Sequence, residues 1–184
     1  MCGIIGYTGN KKAAPILLQG LRSLEYRGYD SAGIGILSPD GEIIVHKSAG
    51  KLNSLVTSIG ENIPLGYSGI GHTRWATHGT PSVVNAHPLL DCNKEVIVVH
   101  NGIVENYIEL KEYLLKNGHQ FTSETDSEVI PHLIENYLSK THSWESAVLK
   151  TASELKGAHA IVAFYKNDPS ALIAFRLGNA GGIV

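Results

Sequence analysis

The order of apolar and polar positions along the chain alternates between two periods. Residues 2–8 are a short apolar run punctuated by glycine and predict a strand. Over residues 11–26, Ala14, Leu17, Leu18, Leu21 and Leu24 form a helical stripe, with Pro15 near its start and Gly28 after its end. Residues 32–37 and 42–47 predict two strands joined by Ser38-Pro39-Asp40-Gly41, a hairpin signature. A short helix over 52–59 and a strand over 68–74 follow.

The stretch 75–93 has no period and contains Gly79, Pro81 and Pro88, yet Trp75, Val83, Val84, Leu89 and Leu90 make it too apolar for disorder. Aperiodic stretches of that length are usually functional. A strand over 95–100 is expected to stop at Asn101-Gly102, and a helix over 106–117 to end at Gly118. Ser123-Glu124-Thr125-Asp126 precedes the periodic positions Val129, Leu133, Ile134 and Tyr137, so Thr125 or Asp126 is the expected helix cap. A helix over 144–155 and strands over 158–165 and 171–176 complete the chain. Paired strands separated by helices argue for α+β with mainly antiparallel sheets. Strand order does not follow from the pattern. No repeat or linker divides residues 1–184, which read as one domain.

Composition narrows the function classes. The chain has 184 residues, 43 % hydrophobic and 17 % charged, with net charge −2, and its Lys and Arg are scattered, so a nucleic-acid partner is not expected. No apolar run approaches the roughly 18 residues of a membrane span, and the N-terminus lacks a secretory apolar segment, so a cytoplasmic setting without a membrane partner is expected. The two cysteines, Cys2 and Cys92, then read as free thiols.

Cys2 is the first informative residue. Removal of Met1 would leave thiol and α-amine on one residue, so that nucleophile and base coincide. On its own, Cys2 reads first as a buried strand cysteine, a small core residue beside Gly3 and Ile4. Attack on an amide carbonyl needs donors aimed at the oxyanion, and Asn101 with Gly102 at a strand end suits that, although Asn-Gly is also a hairpin turn. Arg74 is a candidate clamp for an α-carboxylate and Asp126 for an α-ammonium; a surface ion and a helix cap are the alternatives. His72, His78, His87 and His100, with Cys92, match no known ligand spacing, so no metal is expected. No cofactor-binding glycine loop appears.

Six motifs occur in order: Cys2-Gly3-Ile4-Ile5-Gly6, Tyr26 to Gly33, His72 to Gly79, Asn85-Ala86-His87-Pro88, His100-Asn101-Gly102 and Ser123 to Asp126. Together they resemble the glutaminase (class II glutamine amidotransferase) domain of the glucosamine-6-phosphate synthase family. The resemblance implies a four-layer αββα N-terminal nucleophile hydrolase sandwich. It implies glutamine hydrolysis through a Cys2 thioester, with Asn101 and the Gly102 amide as the oxyanion hole and no cofactor. Arg74 and Asp126 would hold L-glutamine, Thr77 and His78 would line its site, Trp75 would belong to a closing loop over 75–82, and Arg27 would lie near the nucleophile. The ammonia would pass to a sugar-phosphate isomerase domain, absent from this chain, for glucosamine 6-phosphate synthesis. Another class II amidotransferase, or a non-catalytic glutamine sensor, is the alternative, and self-association as a homodimer stays open. The ending Arg176-Leu177-Gly178-Asn179-Ala180 departs from the family's Arg-x-Gly-Ser-Pro.

Overall fold

The computed structural model describes residues 2–75 and 79–180. Among these residues, eight strands form two antiparallel four-stranded sheets. The first contains β1 (Gly3–Thr8), β2 (Ser31–Leu37), β3 (Ile43–Ala49) and β4 (Ser68–Arg74), in the order β1-β4-β2-β3. The second contains β5 (Leu89–Leu90), β6 (Val96–Gly102), β7 (His159–Tyr165) and β8 (Leu172–Leu177), in sequence order. Among the described residues, five α-helices and two short 3-10 turns, Glu25–Arg27 and Asp126–Glu128, accompany the sheets: α1 (Ala13–Leu24), α2 (Leu52–Ile59), α3 (Tyr107–Lys116), α4 (Val129–Thr141) and α5 (Trp144–Glu154).

The layers follow from strand alternation, which sends successive side chains to opposite faces. On β6, Val96 and Val98 join α3, α4 and α5 in one core, whereas Ile97 and Val99 join a different core between the sheets. On β7, Ile161 and Ala163 face the helices, and Val162 and Phe164 face the other sheet. In the first sheet, Ile34 and Ile36 of β2 pack against Leu17 and Leu21 of α1 and Leu52 and Leu55 of α2. Three apolar layers therefore separate four structural layers, αββα. Both faces of β6 are covered, which explains its unbroken run Val96-Ile97-Val98-Val99.

Most expected elements appear within one or two residues of their sequence-based bounds. Three details differ. The aperiodic stretch contains the short edge strand β5, paired with β6 through Leu89↔Val98. β6 does not stop before Asn101-Gly102 but runs through both, pairing Asn101 with Ala160 and Gly102 with His159. Asn101-Gly102 is thus strand, not a hairpin turn. Neither Thr125 nor Asp126 caps a helix with its side chain; the Asp126 carboxylate accepts from the Val104 N–H at 2.7 Å instead.

The pairing brings chemistry to one edge of the molecule. β1 runs antiparallel to β4 with Gly3 opposite Thr73, so the start of β1 lies beside the end of β4. Cys2 is therefore set next to Arg74 and Trp75. The core between the sheets fixes how this edge meets the end of β6. Truncation of fully buried Ile97 in that layer, Ile97→Ala, is expected to cost about 2–5 kcal/mol, read from the urea midpoint.

Candidate active site

A cleft of about 460 Å³ opens where β1 begins and β4 and β6 end, and Cys2, Arg74, Trp75, Asn101, Gly102 and Asp126 all line it. That volume falls within the range of small-molecule sites. Cys2 is half-buried. Its sulfur accepts the Trp75 N–H at 3.3 Å. Asn101 reaches across from the second sheet and donates its side-chain N–H to the Cys2 carbonyl at 3.2 Å. An amide nitrogen carries two N–H groups, so this bond leaves one for another acceptor. Burial pushes the Cys2 thiol above its ordinary value, the donated Trp75 N–H and the Arg74 charge pull it down, and the Asp30 carboxylate adds to the rise. The balance leaves a protonated thiol at neutral pH.

Gly102 occupies a position closed to other residues. Its φ is +146°, and a Cβ there would lie 2.2 Å from the Ala158 carbonyl oxygen and 2.8 Å from His100 Nε2. Glycine lets the strand end run against the chain entering β7.

Arg74 is buried at the end of β4, and one guanidinium nitrogen donates to the Gly79 carbonyl at 3.2 Å. Asp126 is 3 % exposed, a deep seat for a carboxylate. Its loop is organised around Glu128, which is equally buried. Glu128 accepts from the Thr122 N–H and hydroxyl at 2.8 Å each, and from the Ser123 N–H and hydroxyl at 2.7 Å each. Burial alone would raise the Glu128 pKa; the nearby His132 imidazole and hydrogen bonds from Thr122 and Ser123 overcome this and lower it to about 2. Asn85 ties this loop to the stretch after Arg74: it accepts from Glu124 N–H at 2.9 Å and donates to the Thr80 carbonyl at 2.9 Å.

Behind the cleft runs a chain of histidines. His159 Nε2 faces the Lys156 carbonyl at 3.1 Å, and a carbonyl only accepts, so that nitrogen carries the proton. His159 Nδ1 is then the acceptor for His100 Nε2–H at 3.0 Å, and His100 Nδ1 accepts the Ser127 hydroxyl at 2.7 Å. His72 Nε2 donates to the His100 carbonyl at 3.1 Å, and its ring lies 4.4 Å from that of His87. Every member fits the neutral imidazole. Burial lowers the His72 pKa to about 3, and burial and neighbouring charge lower His87 and His100 well below the ordinary value.

Of the residues expected at the site, Cys2, Asn101, Gly102, Arg74, Trp75 and Asp126 meet in the cleft. Trp75 is half-exposed and packs edge-on to Tyr29 at 5.4 Å. Arg27 does not line the cleft; it lines an adjoining hollow that also touches Cys2 and Asn101. Thr77 and His78 lie outside the described residues. Cys92, grouped by sequence with His72, His87 and His100, is not in this cleft. The sequence reading missed Glu128, Ser127 and His159. Glu128 had one available signal, an acidic residue inside the apolar run that follows Asp126.

Two antiparallel sheets between helical layers, with a cysteine at the start of the first strand, define the N-terminal nucleophile sandwich, and solved structures agree. A glutamine phosphoribosylpyrophosphate amidotransferase from B. subtilis, complexed with ADP and GMP, superposes with TM-score 0.77 at 30 % identity, over 90 % of this chain and 35 % of that one. A structure described as the allosteric regulatory enzyme of purine biosynthesis gives TM-score 0.78 at 30 % identity, over 90 % of this chain and 36 % of that one.

The chain belongs to the glutamine amidotransferase domain family, which matches residues 72–178. Among its relatives are proteins named glutamine–fructose-6-phosphate aminotransferase (isomerizing). Those of Thermococcus kodakarensis and Pyrococcus horikoshii are 49 % and 51 % identical, each over 96 % of this chain and 29 % of the relative. That of Aquifex aeolicus is 51 % identical over 97 % of this chain and 30 % of the relative. The chain thus spans under a third of the length of these relatives. No helix among the described residues is long and apolar enough to cross a membrane.

The buried imidazoles generate a test. Below the ordinary value of 6.5, the unfolded chain takes up protons that folded His72 refuses until about pH 3. Their stabilising contribution is therefore complete above that ordinary value and is lost as pH falls toward the folded one. Urea midpoints are expected to decline from about pH 6.5 downward, and His72→Gln to make the decline shallower.

Proposed function

We propose that this domain hydrolyses the side-chain amide of L-glutamine through a thioester on Cys2. The observation that carries the reading is the convergence of Cys2, Asn101, Arg74 and Asp126 in one cleft. Arg74 takes the substrate α-carboxylate and Asp126 the α-ammonium; Trp75, Thr77 and His78 complete the glutamine site, and Arg27 supports the nucleophile from the adjoining hollow.

With Met1 removed, the Cys2 α-amine accepts the thiol proton, directly or through one water, and Cys2 Sγ bonds to the amide carbon. The carbonyl π electrons move to oxygen, where the free Asn101 side-chain N–H and the Gly102 N–H stabilise the charge. Collapse breaks the C–N bond, and the protonated amine returns its proton to the departing ammonia. Water then adds to the thioester, and glutamate leaves with the thiol restored. No cofactor is needed.

The relatives' names support a destination for the ammonia: transfer to fructose 6-phosphate, giving glucosamine 6-phosphate on a sugar-phosphate isomerase domain. Residues 1–184 then form a single glutaminase domain in a cytoplasmic enzyme.

Glutamate release measured on processed protein tests the reading. Cys2→Ala is expected to abolish it; persistence would overturn the mechanism. Retention of Met1 is expected to abolish it too, by removing the free amine. Asn101→Ala is expected to lower kcat by about 10²–10³, and an unchanged kcat would remove Asn101 from the oxyanion hole. Arg74→Lys replaces a two-pronged donor with a point charge. It is expected to raise the KM for glutamine by about tenfold with a smaller change in kcat, and an unchanged KM would place the carboxylate elsewhere.

A further inference from the structure

Away from the cleft, four side chains from three elements point at one spot. Cys92 lies in the turn between β5 and β6, His119 follows the end of α3, and His132 and Glu135 stand one turn apart on α4. Cys92 Sγ is 3.5 Å from His132 Nδ1 and 3.8 Å from His119 Nδ1. Glu135 Oε2 is 2.9 Å from His119 Nδ1 and 3.5 Å from His132 Nδ1. One ligand atom from each residue falls within 4.8 Å of all the others.

We infer that Cys92, His119, His132 and Glu135 form a four-coordinate site for a zinc-class divalent cation. Zinc bonds of about 2.3 Å to sulfur and about 2.0–2.2 Å to nitrogen and oxygen require tetrahedral edges of about 3.3–3.6 Å. Four of the six distances between these atoms, at 2.9–3.8 Å, bracket those edges and none exceeds 4.8 Å, so a cation fits between them once the side chains adjust. Two imidazole nitrogens, a sulfur and a carboxylate oxygen, each able to offer a lone pair to a cation, gather within 4.8 Å of one another. A shared proton can join only two of them at a time, whereas a cation satisfies all four. The mixture of sulfur and nitrogen excludes magnesium and calcium, which take oxygen.

The surroundings are those of a built site. Glu135 Oε1 accepts from the Asn93 side chain at 2.7 Å, which turns Oε2 alone inward. The Gln120 N–H donates to Cys92 Sγ at 3.3 Å, as amides do to thiolates. The outer nitrogen of His132, Nε2, lies 3.7 Å from the Glu128 carboxylate, just outside hydrogen-bond reach, on the side from which a ligating histidine is oriented. His132 is buried and Cys92 exposed, which leaves a path for the cation to enter. With all four positions supplied by protein, the site is structural. It would tie the β5–β6 turn and the segment after α3 to α4, whose first turn adjoins Glu128 and the loop carrying Asp126. The ligands escaped the sequence reading, which expected no metal, because they come from three separate elements with no recurring spacing.

Metal-stripped protein titrated with zinc against a chromophoric chelator is expected to take up one ion per chain and to melt at a higher temperature. Cobalt(II) in its place is expected to give the intense visible bands of tetrahedral coordination with a sulfur-to-cobalt charge-transfer band in the near ultraviolet. Cys92→Ser is expected to abolish the charge-transfer band, and His119→Ala to weaken zinc binding at least about tenfold. Failure of the folded wild-type protein to take up zinc would overturn the inference. So would a cobalt spectrum of octahedral type, or zinc binding unchanged in Cys92→Ser with His119→Ala. The wild-type titration and spectrum decide the matter even where a variant fails to fold.

Discussion

The cleft depends on one apolar layer, the contact between the two sheets. Leu37 and Ile70 from the first sheet meet Ile97, Val99, Val162 and Phe164 from the second. Cys2 and Asn101 belong to different sheets and are 99 residues apart in sequence, yet they are joined by a 3.2 Å hydrogen bond. That bond alone contributes about 1 kcal/mol, too little to fix the register of two sheets. The apolar layer fixes it, at roughly 25 cal/mol per Å² of buried apolar area, and the hydrogen bond then forms at no further ordering cost. Strand alternation carries the same logic along β4. Ile70, in the inter-sheet layer, shares a face with His72 and Arg74, so the face that is apolar in the middle of the sheet becomes polar at its edge.

Burying so many polar groups at that edge is tolerable only if each charge is satisfied or neutralised. The two solutions divide cleanly. The Glu128 carboxylate stays ionised because the backbone folds around it, supplying two N–H and two hydroxyl donors within seven residues; Asp126 accepts the Val104 N–H. Imidazoles instead stay neutral. The Lys156 carbonyl fixes the His159 tautomer, which fixes that of His100, which fixes the direction of the Ser127 hydroxyl. The polar wall behind the cleft therefore has one hydrogen-bond direction, set by a single carbonyl at its far end.

This division also explains what could be read from the sequence. Elements governed by local periodicity were legible: the stripe of α1, the alternating strands of the β2–β3 hairpin, and the doubly buried run of β6. Residues whose role is carried by their own chemistry, Cys2 and Arg74, were legible as candidates. Asn101-Gly102 misled because its local signal is a turn, whereas pairing with β7 overrides that preference and keeps it in a strand. Asp126 misled in the same way: its position fits a cap, but a backbone N–H from the distant Val104 wins its carboxylate. Glu128 and His159 act entirely through partners brought by the fold, and no periodicity announces them. The zinc-class cluster is the extreme case, since none of its ligands has meaning until three elements meet.

The nucleophilic role proposed for Cys2 requires a base within reach of its thiol. Burial holds that thiol protonated at neutral pH, and a catalytic thiol is often ionised by an adjacent imidazole. Among the described residues, the imidazoles lining the cleft are His87 and His100. Both nitrogens of His100 are committed, to Ser127 and to His159. His87 is buried against His72, and the neighbouring imidazoles and the charges of Arg74 and Lys47 oppose its protonation. Neither can hold the proton of a thiol. The proposed function meets this constraint by placing the base on the nucleophile itself. An α-amine titrates near 7.7–8.0, close enough to neutrality to accept the proton and return it. The cost is that the amine must be free, which makes the identity of the first residue, rather than any residue of the cleft, the condition on which the chemistry turns.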